Sequence, residues 1–405
     1  MKLREFFQDK ANILAVSWLF NQLAYSIVYP FLPLYLHQER GIPMDKVGLI
    51  FPLMGLAAIA IPPVSGMLAD RIGRRFMLQF GQFSRAGVFL VLAFLTAVDA
   101  PFWVFAVTLM VNSGTGVFFQ VASDSYLSDI STPESRPGMY SKIRVGFNIA
   151  WAIGPMLGAF LARTPFSLIF CVTAGLCLCG GMYSGYFCRE PGRKTVAPGL
   201  QPPGANYGQL LRNPPFFKLA LGSFFLTLLT SQLYSTFSVF ATGEAGISRD
   251  SLGLLYSLNG ILVILFQIPL TKLLDHLYLS QTARLVGGAA FYFAGYLSLA
   301  FFGDARLFAF SILVITTGEM IIQPSIYTAV SRLSPDGATG RSMALLSLIR
   351  GIGISAGPWF GSVLLQRSHG LPFLLWGGLA SFAVIAVIAF AMIRPANRHL
   401  INGNP

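Results

Sequence analysis

Charge is what this sequence has least of. Asp, Glu, Lys and Arg make up 11% of its 405 residues, where soluble domains carry about 25%. A water-exposed globular domain of this length is therefore excluded. No segment of the form G-x-x-x-x-G-K-[ST] occurs, which excludes ATP hydrolysis at a P-loop within this chain. Neither H-E-x-x-H nor a nucleophile elbow is present. The four histidines, His37, His276, His369 and His399, stand at the ends of apolar runs or in the tail and form no cluster. A membrane hydrolase would need a nucleophile and a base near one interface, and a sensor would need an output domain or long tail; neither is seen. The chain is expected not to be an enzyme. Cysteine is also scarce: Cys171, Cys177, Cys179 and Cys188 share one apolar run, with the spacing of neither a zinc site nor a disulfide framework. They read as small helix residues, and no metal site is expected.

What the sequence does have is length in apolar runs. It is 54% hydrophobic with mean hydropathy +0.65. Runs fall near 12–36, 47–69, 76–98, 102–128, 140–162 and 166–188, then, after a polar Pro/Gly-rich stretch, near 216–240, 250–274, 282–302, 306–331, 342–366 and 372–393. At about 20 residues per span, twelve crossings leave no room for a soluble domain. Lys2, Arg4 and Lys10 before the first run imitate a signal peptide. That run continues to Leu36, so it is expected to be a retained first helix. The net charge of +12 reads as topology. About 19 Lys and Arg fall on the side of the N-terminus, the 66–78 loop and the central linker, and about 6 on the other side. Arg85, Arg144 and Arg350 fall inside runs. By the positive-inside bias both termini are expected in the cytoplasm. Basic residues scattered among short loops argue against a nucleic-acid partner. The expectation is an all-α membrane protein with 12 transmembrane helices: a six-helix bundle over 1–188, a cytoplasmic linker over 189–215 and a second six-helix bundle over 216–405.

The most telling loop is 66–78: Gly66-Met67-Leu68-Ala69-Asp70-Arg71-Ile72-Gly73-Arg74-Arg75-Phe76-Met77-Leu78. Gly73 allows a turn that residues with a Cβ resist, and Asp70 is a carboxylate at a membrane rim that wants a partner. This stretch resembles the loop 2–3 signature of the major facilitator superfamily, G-x-L-a-D-R-x-G-R-[KR]. The two halves also repeat. Gln120, Pro133-Glu134, Ser141-Lys142-Ile143-Arg144 and Gly154-Pro155-Met156-Leu157-Gly158 are matched by Gln323, Pro335-Asp336, Ser347-Leu348-Ile349-Arg350 and Gly357-Pro358-Trp359-Phe360-Gly361. Parallel six-helix halves are one architecture of secondary transporters, and the resemblance implies the major facilitator fold with pseudo-symmetric bundles.

The resemblance also implies a latch of Gly66, Asp70, Arg71, Gly73, Arg74 and Asp129. In it, Arg74 pairs with Asp129, and Asp70 sits under the start of the eleventh helix near Gly340 and Ser342, where the helix dipole favours an anion. Such contacts would hold the outward-open state. Asp129 to Arg136 looks like the family's D…P-E-x-R segment. The counterpart in the second half, Thr271 to His276, is degenerate. In the fifth run, Ala150 to Ala159 is similar to the family's antiporter signature G-x-x-x-G-P-x-x-G-G, with alanine at its first and last positions. Gly154 and Gly158 share a face that admits a close neighbour, and Pro155 bends the helix. Ordinary helix packing accounts for the same residues, since the second half repeats them.

Glu319 stands thirteen residues before Arg332, about 20 Å along a helix, which places it near the bilayer midplane. An ionisable residue there points to function, and Gln323 and Tyr327 extend its face. The segment 318–325 resembles a tenth-helix stretch of some multidrug/proton antiporters. Asn112, Gly116, Gln120 and Asp124 make a polar stripe on the fourth run, and Arg144 is the expected partner of Asp124 in proton relay, substrate clamp or structural bridge. The arginine that many drug antiporters carry four residues before the glycine of this helix is replaced here by Met110. Asn21, Tyr25, Trp151, Gln232, Asn259 and Trp359 are further candidates for a weakly polar aromatic cavity, which suits an amphiphile better than a sugar. The expected function is proton-coupled antiport exporting lipophilic or amphiphilic small molecules such as drugs, by alternating access. The alternative is a proton-coupled importer or exporter of a metabolite or lipid. No cofactor beyond the proton gradient is expected. The partners are substrate, protons and the lipid bilayer of the cytoplasmic (inner) membrane, and the chain is expected to act as a monomer.

Overall fold

A computed structural model describes residues 9–132, 135–191, 207–301, 305–334, 339–368 and 370–393. Pro133, Glu134, Pro335, Asp336, His369, His399 and residues 192–206 of the expected linker lie outside the described residues, as does the Arg136 side chain.

Twelve helices among the described residues are long and apolar enough to cross a membrane. They are α1 (Lys10–Glu39), α2 (Met44–Ile72), α3 (Arg74–Ala97), α4 (Phe102–Ile130), α5 (Gly138–Leu161), α6 (Phe166–Phe187), α7 (Pro214–Tyr234), α8 (Arg249–His276), α9 (Gln281–Phe301), α10 (Ala305–Leu333), α11 (Arg341–Arg367) and α12 (Pro372–Ala391). Their ends follow local chemistry. The Asp9 carboxylate accepts from the Ala11 amide at 2.8 Å and caps α1, and the Ser280 hydroxyl caps α9. Prolines open α7 and α12 in the first helical turn, where the missing N–H costs nothing. Gly73 alone separates α2 from α3, with φ at 115°, a backbone region closed to side chains.

The chain divides into two compact units: Met1–Val196 with Ser248–Gly260, and Ala197–Ile247 with Ile261–Pro405. In the first, α1 packs along α5 and α6, α3 along α4 and α6, and α2 along α4. In the second, α7 packs along α11 and α12, and α9 along α10 and α12. All of these pairings except that of α2 with α4 recur six helices later. Residues 248–260 differ from the expected boundary by grouping with the first unit, where Arg249 pairs with Glu39 at 2.6 Å and Arg163 with Asp250. Large apolar side chains such as Phe94, Phe160 and Ile268 remain exposed; in a protein bounded by lipid they need no protein partner.

Two runs expected to be continuous are broken. Helix α1 loosens at Tyr29–Phe31 beside Pro30 and continues as a π-helical turn over Tyr35–Glu39. Helix α7 tightens into a 3₁₀ turn over Ser231–Tyr234, and a separate helix runs Thr236–Gly243. The cause is competition for backbone carbonyls: Ser231 donates to Leu228 O and Ser235 to Ser231 O, while the Gln232 amide donates to Leu228 O and Gly357 O.

Candidate functional site

The short basic loop assembles a charge cluster in the first unit. The Arg74 guanidinium donates to Asp70 at 2.7 Å, to Asp129 at 2.9 Å and to the Ala69 carbonyl at 2.9 Å. Arg74 and Asp129 are 16% and 18% exposed, so their pair is better shielded than a surface bridge. Asp70 is mostly exposed and spends its carboxylate on Arg74. Arg71 is exposed and makes no ion pair among the described residues. A Cβ at Gly66 would meet nothing within 4 Å, and nothing in the structure explains a glycine there. Gly73 does have a reason beyond its φ, because the Glu190 carboxylate lies against it. Glu190 accepts from the amides of Arg74 at 2.7 Å and Arg75 at 2.8 Å, capping the positive start of α3. At the same end of this unit, Lys142 pairs with Asp9. A double-mutant cycle of Arg74→Ala and Asp129→Asn, read by thermal unfolding, is expected to give a coupling energy of about 0.5–3 kcal/mol. A value near zero would reduce the pair to a screened surface contact.

A cavity of about 200 Å³ opens among α1, α2, α3 and α4. Asn21, Tyr25, Asn112, Gly116 and Gln120 line it, with Trp18, Gln22 and Met54. Trp151 adjoins them: its ring lies 5.9 Å from Tyr25, and its indole N–H donates to Gln22 at 3.4 Å. Arg85 also lines the cavity, and as a site residue it escaped sequence reasoning.

Asp124 and Arg144 are both exposed and form no ion pair with each other. The expected partnership is therefore corrected: the two stripes are neighbours in sequence logic, but the side chains do not meet. Gln232 is corrected as well. It is fully buried, and all its amide atoms are used between α7 and α11: Nε2 on Leu228 O and Gly357 O, Oε1 on the Thr236 hydroxyl. It ties helices together, with both amide protons spent on backbone carbonyls. Asn259 is buried. Trp359 packs edge-on against Phe360.

In the second unit the α10 stripe holds together as a polar face. Gln323 Oε1 accepts from Arg350 at 2.8 Å, and the Arg350 guanidinium lies 5.4 Å from the Tyr327 ring. Glu319 is half-buried and within electrostatic reach of the Tyr234 and Tyr292 hydroxyls. Arg350, like Arg85, was legible as a charge inside an apolar run, though not as a member of the site.

The antiporter-like glycines make close helix contacts. A Cβ on Gly154 would overlap the Ser26 hydroxyl, which donates to Ala150 O at 2.9 Å, and one on Gly158 would overlap the Ile27 carbonyl. Pro155 lies inside α5. In the repeat Gly357 likewise meets a serine hydroxyl, that of Ser231, and the Leu228 carbonyl, whereas Gly361 meets the side chains of Gln232 and Thr236.

Residues 14–358 match the family described as Major Facilitator Superfamily. The "Uncharacterized MFS-type transporter YttB" of Bacillus subtilis (strain 168) is 26% identical, with 94% of this chain and 93% of that protein covered. The "Multi-drug resistance efflux pump PmrA homolog" of Lactococcus lactis subsp. lactis (strain IL1403) is 25% identical over 87% of each. The crystal structure of a POT family transporter in complex with 5-aminolevulinic acid superposes with a TM-score of 0.77 at 14% identity, covering 95% of this chain and 96% of that one, and shows the shared fold. The helical repeat and the family match agree, and the chain belongs to the major facilitator superfamily as a secondary transporter, not an enzyme.

Proposed function

We propose that this transporter is a proton-coupled antiporter that exports lipophilic or amphiphilic small molecules by alternating access. The observation that carries this reading is the lining of the first unit's cavity. Trp18, Tyr25, Met54 and Val117 supply broad apolar surface, and the polar groups among them are four amides, Asn21, Gln22, Asn112 and Gln120, the Ser113 hydroxyl and one guanidinium, Arg85. A sugar would need many fixed donors and acceptors, whereas an amphiphile needs area and one or two polar anchors. The similarity to a protein named as a multi-drug resistance efflux pump supports the same direction. Glu319 is the proposed coupling residue, with Asp124 as the second titratable carboxylate and Arg144 exposed near the Lys142 end of α5. Gln323, Tyr327 and Arg350 form the polar face beside Glu319. The Arg74 cluster is the proposed latch, on the cytoplasmic side.

A second reading, transport of a metabolite or lipid on the same fold, is favoured by Met110, which stands where many drug antiporters place an arginine. The test is proton movement in proteoliposomes challenged with lipophilic cations and neutral amphiphiles. Substrate-driven proton flux with wild-type protein is expected. A panel in which nothing moves protons would sink drug export and leave the metabolite or lipid reading.

A further inference from the structure

Arg85 has no place in the transport cycle described so far. It sits eleven residues into α3 after Arg74, about 16 Å along the helix, and is only 4% exposed. Buried arginines in membrane spans pair with carboxylates or backbone carbonyls. Arg85 does neither. Its Nη1 donates to the Asn21 side-chain oxygen at 3.2 Å, and its guanidinium carbon lies 5.6 Å from the Tyr25 and Phe89 ring centroids. Its Nε has no hydrogen-bond partner, and among the described residues no carboxylate lies within ion-pair distance. By contrast, Arg40, Arg74, Arg163, Arg249 and Arg284 all pair with Asp or Glu.

The surroundings keep this charge open toward the cavity. Gly116 on α4 faces it: a Cβ there would already stand 3.8 Å from Nη1, so any longer side chain would cover the guanidinium. Two more buried polar atoms of the same cavity are without partners, Asn21 Nδ2 and Asn112 Oδ1. A guanidinium offers planar donors that fit a carboxylate in two-point contact, and the low-dielectric site strengthens that contact. At about 200 Å³ the cavity is smaller than the ~300–1,000 Å³ of complete small-molecule pockets. It therefore suits one end of a substrate.

We propose that this cavity is an anion subsite in which Arg85 binds the carboxylate of an amphiphilic organic acid, with Asn21 and Asn112 beside the head group and Trp18 and Met54 against the apolar body. The proposal rests on the exporter reading above only for the amphiphilic character of the cargo; binding at Arg85 requires neither export nor proton coupling.

The test is equilibrium binding of radiolabelled 2-naphthoate and its uncharged amide, 2-naphthamide, to the purified full-length protein. Wild type is expected to prefer the carboxylate by about tenfold or more, the ratio of one charge-assisted contact. Arg85→Gln should erase the preference, and Arg85→Lys should retain part of it. Equal affinity of wild type for acid and amide, no binding of the acid, or an unchanged preference in Arg85→Gln would each overturn the proposal. Should Arg85→Gln fail to fold, Gly116→Val decides: it fills the space in front of the guanidinium, so it must abolish naphthoate binding, and undiminished binding overturns the subsite. A carboxylate preference in a protein that moves no protons with any amphiphile would uphold the subsite while export fails. Proton flux driven by lipophilic cations without naphthoate binding would do the reverse.

Discussion

Glu319→Gln is expected to abolish substrate-driven proton movement while leaving substrate counterflow intact. Glutamine keeps the size of the side chain and can still hydrogen-bond, but it cannot gain or lose a proton. Glu319 lies in the middle third of α10, half-buried, with the Tyr234 and Tyr292 hydroxyls in its field. One turn on, Gln323 is engaged by Arg350 at 2.8 Å, so the neighbouring polar face should survive the substitution. Proton flux per substrate in proteoliposomes should fall to the background without substrate. Glu319→Asp, still titratable, should retain part of the coupling. If Glu319→Gln couples as well as wild type, the carboxylate is structural and Asp124 becomes the coupling candidate. Loss of counterflow together with coupling would instead mean a packing defect at α10.

The twelve spans were legible because lipid imposes the rule: a crossing needs about 20 apolar residues, and nothing else in the chain competes with that pattern. The Arg74–Asp129 pair was legible through resemblance, since the motif carries both residues at fixed register. Other features depend on groups far away in sequence and left no local mark. The break in α7 rests partly on Gln232 reaching Gly357 O, 125 residues on. The cap on α3 is Glu190, 116 residues after Arg74. Asp124 and Arg144 are an expected pair, but the face each presents depends on how its own helix packs, and the two form no ion pair. Arg85 stood out as a charge in an apolar run. What could not be read was its lack of a carboxylate, which is a property of three neighbouring helices.

Gly158→Ala is expected to destabilise the protein, and Gly175→Ala to stabilise it slightly. In α6, a Cβ at Gly175 meets nothing within 4 Å, so alanine gains the roughly 0.5–1 kcal/mol of helix propensity that glycine forgoes. In α5, a Cβ at Gly158 would run into the Ile27 carbonyl and the Phe31 ring. Backbone cannot rotate away, so α1 and α5 must separate, at an overpacking cost of about 1–3 kcal/mol. Thermal unfolding of the purified protein reads both signs. At Gly361 a Cβ would instead meet the side chains of Gln232 and Thr236, which are held by hydrogen bonds to each other, to Leu228 O and to Gly357 O, so Gly361→Ala should also lower the unfolding temperature by breaking that network. The pair of results bears on mechanism. If both glycine variants lose stability and lose transport only in proportion to folded protein, then the antiporter-like segment is a packing device used once in each half, and antiport stands on Glu319 alone. If Gly158→Ala keeps its unfolding temperature but stops transport while Gly361→Ala does not, the α1–α5 contact works in the cycle itself. The serine hydroxyl that faces both Gly154 and Gly357 favours the first outcome.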